Sequence, residues 1–384
     1  MKVCIITPIF PPDIGGPATY TYELVKRLKN YKIFIITLTE SPIIIDNEVI
    51  SIKSTINTPI IKSLIKFIKL FSWLVVRRNQ YDIAYIQTPD PFGFAALLVL
   101  KLLGKPTILK FVGDIAWEFA YNTRRTERFL DDFLHKPDGG IPVKLLMFLQ
   151  KVVFKKVDVI ITPSRYLKNI LTAFYNVEPA KIEVIYNAVE FVELKNNKIN
   201  KKNSIKLICT IGRLIPSKGI DKIIEIMPRI LRKYPESKLL IIGDGPDKKR
   251  LKDIAEKKGV DNHVVFLGKL KHKDVIKILK SSNLFVLNSK YEGLPHTVIE
   301  AMTLKVPVVA TAVGGTVEVA RNFETGLLVK PYDTKDLVGK IIYALDNEKD
   351  MRKIARRAHK MIKHNFSWEY NLKKLENVLN RVTR

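Results

Sequence analysis

The sequence predicts an α/β protein of two domains, each a parallel sheet clad in helices, facing one another across a cleft. Three observations predict it. At 384 residues the chain exceeds what a single core usually organises. Short, nearly continuous apolar runs rich in β-branched residues alternate with amphipathic stretches, as expected of strands buried on both faces and joined by helices. The series also runs twice, interrupted by LKNNKINKKNS at residues 194–204, a polar stretch without apolar periodicity that reads as a linker.

In the first series the strands are KVCIITPIF, KIFIITLT, DIAYIQT, PTILKFVG, DVIITPS and KIEVIYN, with helical patterns over 20–30, 59–78, 92–104 and 166–175. The second consists of IKLICTIGRL, SKLLIIGDG, HVVFLGK, NLFVLNS, VPVVATAVGG and TGLLVK. These describe two Rossmann-like domains, 1–193 and 204–365, with a last helix over 366–384 that returns to the first domain.

Composition narrows the setting. Cys4 and Cys209 lie in apolar strand-like runs of different halves, which suits reduced structural thiols in the cytosol rather than a disulfide framework. The opening MKVCIITPIFPP lacks the longer apolar region and cleavage site of a signal peptide, and no uninterrupted apolar stretch of about 20 residues follows. The expected location is cytoplasmic, peripheral on the inner face of the membrane. The net charge of +27 is spread over the chain, with 27 basic against 18 acidic residues in 1–200 and 38 against 20 in 201–384. That excess fits nucleic acid, an anionic membrane surface or a lysine-rich composition. No zinc-ligand pattern, RNP-type motif or bZIP-like basic helix accompanies it, so nucleic acid is not the expected partner.

The motifs lie between strands and helices. GRLIPSKG (212–219) follows a strand and opens a helix. Gly212 allows close backbone approach, while Arg213 and Lys218 bring two cations to a helix N-terminus, an arrangement fit for a diphosphate; a plain turn with two solvated cations is the alternative. IIGDGP (241–246) is a turn that alone decides little. Gly15 and Gly16 stand between the first strand and its helix without the G-x-G-x-x-G pattern or the Lys and Ser/Thr of a P-loop, so neither a dinucleotide dehydrogenase nor an NTPase is indicated. In FVGDIAWE (111–118), Asp114 ends a strand where open sheets display functional groups. It either orients or deprotonates an acceptor hydroxyl, or caps a helix. EGLPHTVIEAM (292–302) sets two carboxylates eight residues apart. Glu292 precedes Gly293 and Pro295 and so belongs to the loop feeding a helix that carries Glu300, letting both acids overlook one pocket at the helix N-terminus.

GRLIPSKG, GDGP, VVFLGK and above all EGLPHTVIEAM followed by PVVATAVGGTVEVA, together with the N-terminal GG loop and the terminal FSWE, resemble the retaining nucleotide-sugar glycosyltransferases of family 4, with the GT-B fold, over nearly the whole chain. The E-x7-E element is specific; the glycine-rich loops are not. The resemblance implies a nucleoside-diphosphate-sugar donor and a hydroxyl acceptor, lipid-linked or a glycan. By that likeness Glu292 contacts the sugar hydroxyls, Glu300 holds the nucleotide ribose, and backbone N–H groups around Gly293, Leu294 and His296 meet the diphosphate. Arg213 and Lys218 neutralise charge growing on the leaving group, Gly15 and Gly16 close over the same phosphates, and Phe266 and Leu267 wall the nucleobase. The chain departs from the family at Gly113–Asp114, where many members carry a histidine. No D-x-D occurs, so neither a cofactor nor a metal is expected. Rival readings are a nucleotide-sugar epimerase or phosphorylase on the same fold, and a non-catalytic basic protein that binds membrane or nucleic acid.

The segment 59–78, PIIKSLIKFIKLFSWLVVRR, bears on the membrane. At 100° per residue Lys62, Lys66, Lys69, Trp73 and Arg77 fall within an arc of about 80°, and no acidic residue occurs from 49 to 81. The expectation is a basic stripe with an interfacial indole facing an anionic membrane; a helix packed on the sheet with a solvated lysine face is the alternative.

Overall fold

A computed structural model of the chain describes residues 1–13, 16–53, 59–191 and 205–383, with the side chains of residues 59, 60, 62 and 63 also left aside. Gly15, the side chain of Lys62 and the linker at 194–204 therefore lie outside the described residues. The chain forms two compact units, the first of residues 1–120, 130–187 and 369–384 and the second of 121–129 and 188–368.

The elements run β1 (Lys2–Thr7), α1 (Gly16–Arg27), β2 (Lys32–Thr37), β3 (Glu48–Ser51), α2 (Pro59–Val76), β4 (Ile83–Ile86), α3 (Pro91–Leu102), β5 (Thr107–Lys110), α4 (Ile115–Asn122), α5 (Leu130–His135), α6 (Ile141–Lys156), β6 (Val159–Thr162), α7 (Arg165–Tyr175) and β7 (Ile182–Val184). They continue β8 (Leu207–Ile211), α8 (Ile220–Leu231), β9 (Lys238–Ile242), α9 (Lys248–Lys257), β10 (Val264–Gly268), α10 (His272–Ser281), β11 (Leu284–Leu287), α11 (His296–Thr303), β12 (Val308–Thr311), α12 (Thr316–Val319), β13 (Leu327–Val329), α13 (Thr334–Asp346), α14 (Glu348–Asn365) and α15 (Trp368–Val382).

Each unit holds one sheet, ordered β3-β2-β1-β4-β5-β6-β7 in the first and β10-β9-β8-β11-β12-β13 in the second, and the pairings are parallel throughout. In both, the order reverses once, between β1 and β4 and between β8 and β11. Ligands of open parallel sheets bind at the carboxyl ends of strands at such a reversal. The inner strands are buried along their length, β4, β5, β6, β11 and β12 completely, which is why they read as continuous apolar runs. In the second unit Ile223, Met227 and Ile230 of α8 and Ile341 of α13 pack on Ile208, Leu239 and Val286 of the sheet.

Local chemistry sets the helix starts. Asp90 caps α3 by accepting from the Gly93 N–H at 2.8 Å, with Pro91 at the first helical position, and Ser164 caps α7 through the Leu167 N–H; both satisfy amides that a helix leaves open.

The structure departs from the sequence reading in several places. β3 is an additional edge strand whose residues are only partly buried, so it lacks the apolar run that marks its neighbours. Three helices, α4 to α6, occupy the stretch after β5. Residues 121–129 belong with the second unit, tied there by Arg124–Asp247 at 3.5 Å and by Phe129 edge-on to Tyr332 at 4.2 Å.

For α2 the facing is corrected. Trp73 does not sit on an outward basic stripe: its ring stacks on Tyr81 at 6.1 Å and lies 6.2 Å from Phe34, between which the flat indole fills space. Arg77 pairs with Glu48 beside it, and Lys69 donates to the Lys53 carbonyl at 2.7 Å. Leu70 and Leu74 are buried, while Leu64, Phe67, Ile68 and Phe71 face outward. The cations thus lie along the margin of the packed face, and the exposed side is apolar.

Candidate active site

In the second unit the loops that follow β8, β9, β11 and β12 are drawn together by backbone contacts that only glycine allows. Gly243 has φ +139°, and a Cβ there would stand 1.9 Å from the Gly212 carbonyl oxygen. At Gly219, with φ +57°, a Cβ would stand 2.2 Å from the carbonyl oxygen of Asn288, whose side-chain amide donates to the Gly219 carbonyl at 3.0 Å. The Lys290 N–H donates to the Ser217 carbonyl at 2.8 Å, joining the loop after β11 to the loop after β8.

Within this frame the Lys218 stem lies over Gly212, and its ammonium donates to Glu292 Oε1 at 2.6 Å. The Ser289 hydroxyl donates to the same oxygen at 2.6 Å. Ser289 is itself held by Thr311 Oγ1, which donates to its carbonyl at 2.7 Å, and the Gly315 N–H donates to the Glu292 carbonyl at 2.8 Å. Glu292 is 9% exposed. Loops from β8, β11 and β12 therefore meet at one buried carboxylate, at the reversal of strand order. A charge-assisted pair of this kind is strong for its size because little water screens it.

Gly293 and Leu294 are buried in the same loop. It leads to α11, whose start at His296 has no side-chain cap, so its first amides stand as donors suited to an anion. Glu300, further along α11, is met by His272 Nε2 at 3.1 Å. Arg213 is exposed at the mouth of the β8 loop. Phe266 packs partly against the core, and Leu267 is the extra residue where the register of β10 against β9 shifts.

The first unit places its two sequence candidates differently. Gly16 opens α1 in the open, with nothing within 4 Å of where a Cβ would stand. Asp114 is fully buried; it accepts from the Trp117 N–H at 2.9 Å, from Gln150 Nε2 at 3.3 Å and from the Tyr175 hydroxyl. Burial pushes its carboxyl pKa up, opposed by Tyr175, the Trp117 amide and Gln150. Instead of meeting an acceptor, Asp114 caps α4, because β5 ends at Lys110 and the chain has turned inward before residue 114.

Two residues were missed. Ser289, three positions before Glu292, carried a faint signal in its spacing. His272 carried none, since its partner lies 28 residues away.

Known proteins bear on this arrangement. Residues 14–192 match the model described as Glycosyltransferase Family 4 and residues 191–361 the model described as Glycosyl transferases group 1. An uncharacterized glycosyltransferase of Methanocaldococcus jannaschii is 32% identical over 230 residues, 57% of this chain and 59% of that protein; across the first four curated relatives the match takes in 44–60% of their length. A GDP-mannose-dependent monoacylated alpha-(1-6)-phosphatidylinositol monomannoside mannosyltransferase of Corynebacterium glutamicum is 23% identical over 100% of this chain and 99% of its own. Among solved structures, Anabaena Alr3699/HepE in complex with UDP-glucose superposes with a TM-score of 0.78 at 17% identity, covering 99% of this chain and 100% of that one. Two parallel-sheet units of this kind, matched by these two models over residues 14–361, make the chain a glycosyltransferase of the family 4 type with the GT-B fold.

Proposed function

We propose that the protein transfers a sugar from a nucleoside-diphosphate sugar to a hydroxyl acceptor, with retention and without a metal. The observation that carries this reading is the Lys218–Glu292 contact at the strand-order reversal. A diphosphate arriving beside Lys218 competes for its ammonium, and Glu292 is then free to accept from a sugar hydroxyl. Lys218, Arg213 and the uncapped start of α11 supply positive charge where the leaving group gathers negative charge. Glu300, steadied by His272, suits the ribose hydroxyls, with Leu267 beside the base. The HepE complex with UDP-glucose supports a nucleotide-sugar donor.

The test is a hydrolysis panel of nucleotide sugars followed by calorimetry. Glu300→Ala should weaken nucleoside-diphosphate binding by roughly tenfold or more, since it removes hydrogen bonds to a charged group in ground and transition states alike. Glu292→Ala should lower turnover by roughly a hundredfold with a smaller change in affinity. Unchanged affinity in the Glu300 variant defeats the ribose assignment, and production of an epimer without acceptor would favour the epimerase.

A lipid-linked acceptor and peripheral binding at the cytoplasmic face belong to the same proposal. No helix among the described residues is long and apolar enough to cross a membrane. α3 packs between α2 and α6, these three helices contain no acidic residue, and they expose Leu64, Phe67, Phe71, Leu102, Leu145 and Phe148. An apolar face on helices that carry lysines and no acid suits an anionic bilayer. The mannosyltransferase named for a phosphatidylinositol substrate supports the reading. Changing Phe67 and Phe71 together to Ser should cut cosedimentation with anionic vesicles by roughly tenfold or more; equal sedimentation excludes this face.

A further inference from the structure

We infer that the second unit holds an anion pocket centred on Lys290, separate from the Lys218–Glu292 pair, that takes a compact oxyanion, phosphoryl or carboxylate. The cavity is lined by Phe129, Lys222, Ser289, Lys290, Tyr332 and Asp333, among others. Lys290 Nζ stands 4.0 Å from the Tyr332 ring centroid and 5.8 Å from that of Phe129, and the two rings meet edge to face. Ring faces hold a cation but do not neutralise it, and no carboxylate pairs with this ammonium among the described residues.

Each other charge at the pocket has its own engagement. Lys222 pairs with Glu225 at 2.7 Å, and Asp333 is turned to the start of α13, accepting from the Asp336 N–H at 2.8 Å. Burial holds the Lys290 pKa below the ordinary lysine value; Asp221 opposes the shift and the charge of Lys222 adds to it. A half-buried cation beside a second cation, with a cavity in front of both, is the setting in which an entering oxyanion gains most. The backbone of Lys290 is pinned to Ser217, so the ammonium is presented from a fixed point. Ser289 lines this pocket on one side and donates to Glu292 on the other, which places the anion one residue from the candidate active site. The oxyanion is either a free ion or the acidic group of a sugar-bearing acceptor. The inference does not depend on the donor reading, because none of the donor-site residues supplies the pocket's cation.

The test is trace acetylation of the full chain, read peptide by peptide by mass spectrometry. It uses a background in which Arg213→Gln and Lys218→Gln remove the donor-side cations. Inorganic phosphate, glucose 6-phosphate and glucuronate are compared with potassium chloride at matched ionic strength. One of the three anions should lower labelling of Lys290 by roughly fivefold or more, while exposed Lys257 is unchanged. Stronger protection by a sugar-borne anion assigns the pocket to an acceptor group; stronger protection by inorganic phosphate assigns it to a free ion. The same anion should raise the unfolding temperature of this background and lose that effect when Lys290→Met or, should that chain misfold, Lys290→Gln is added. Labelling of Lys290 indifferent to all three anions overturns the inference.

Discussion

At the carboxyl end of the second sheet, backbone meets backbone: Gly243 lies against the Gly212 carbonyl and Gly219 against Asn288. Polar side chains there pair near the surface, Lys218 with Glu292 and His272 with Glu300. At the same end of the first sheet, side chains fill the space instead. Gln87 follows β4 and Lys110 ends the neighbouring β5, and both are 1% exposed. Among the described residues the Lys110 amine has no hydrogen-bond partner, and it lies 3.1 Å from the Tyr20 ring centroid, while Asp114 is fully buried at the start of α4. Close-packed glycines thus leave charged groups free to exchange partners, whereas buried ones burden the fold with desolvation.

This contrast can be broken at its strongest point by adding a methyl group. Gly243→Ala should destabilise the second unit by roughly 3–4 kcal/mol, combining a left-handed backbone with a contact at 1.9 Å. Gly16→Ala in the first unit, where the space is open, should change stability by less than about 1 kcal/mol. Denaturant titration of both variants decides it; similar losses would mean that the glycine contacts are not what orders the site.

A second probe addresses the buried charge. Burial holds the Lys110 pKa well below its ordinary value, so between the folded and unfolded pKa values the unfolded chain binds the extra proton. Stability must then rise with pH across that window, by up to about 1.4 kcal/mol per pH unit, and level off above about pH 10.4. Lys110→Met should be more stable than the parent at pH 7 and should lose that slope. A parallel pH profile in the variant would show that the amine is not desolvated. A smaller loss than at Gly243 is expected at Ser289→Ala, which removes one donor from Glu292 and should cost about 1–1.5 kcal/mol, read as a lowered unfolding temperature with the fold retained.

Much of this was legible in the chain. Twelve apolar runs announced β1, β2 and β4 to β13, because strands of a parallel sheet are largely hidden on both faces, and the loop position of Glu292 followed from Gly293 and Pro295. What escaped was set by partners distant in sequence. Trp73 sits at a helical angle shared with the lysines, but angle alone does not say which side the sheet claims; Phe34 and Tyr81 decide that. Asp114 was read at a strand end, yet Gln150 and Tyr175 draw it inward. Gly212 and Lys218 were placed together by their loop, whereas nothing local ties His272 to Glu300. β3 is too exposed to carry a pattern.

Neither unit corresponds to a single stretch of coding sequence. The first is completed by residues 369–384 and the second by 121–129. The last helix buries Leu375, Val378 and Leu379 and pairs Arg381 with Glu183 at 2.7 Å. A gene fragment cut at the linker would leave the first unit without a helix that covers its core, and the second without the residues that supply Phe129. Exchanging donor specificities between such enzymes by recombination therefore needs crossovers at four points along the gene, and a circular permutant that opens the chain between 368 and 369 would remove only one of them.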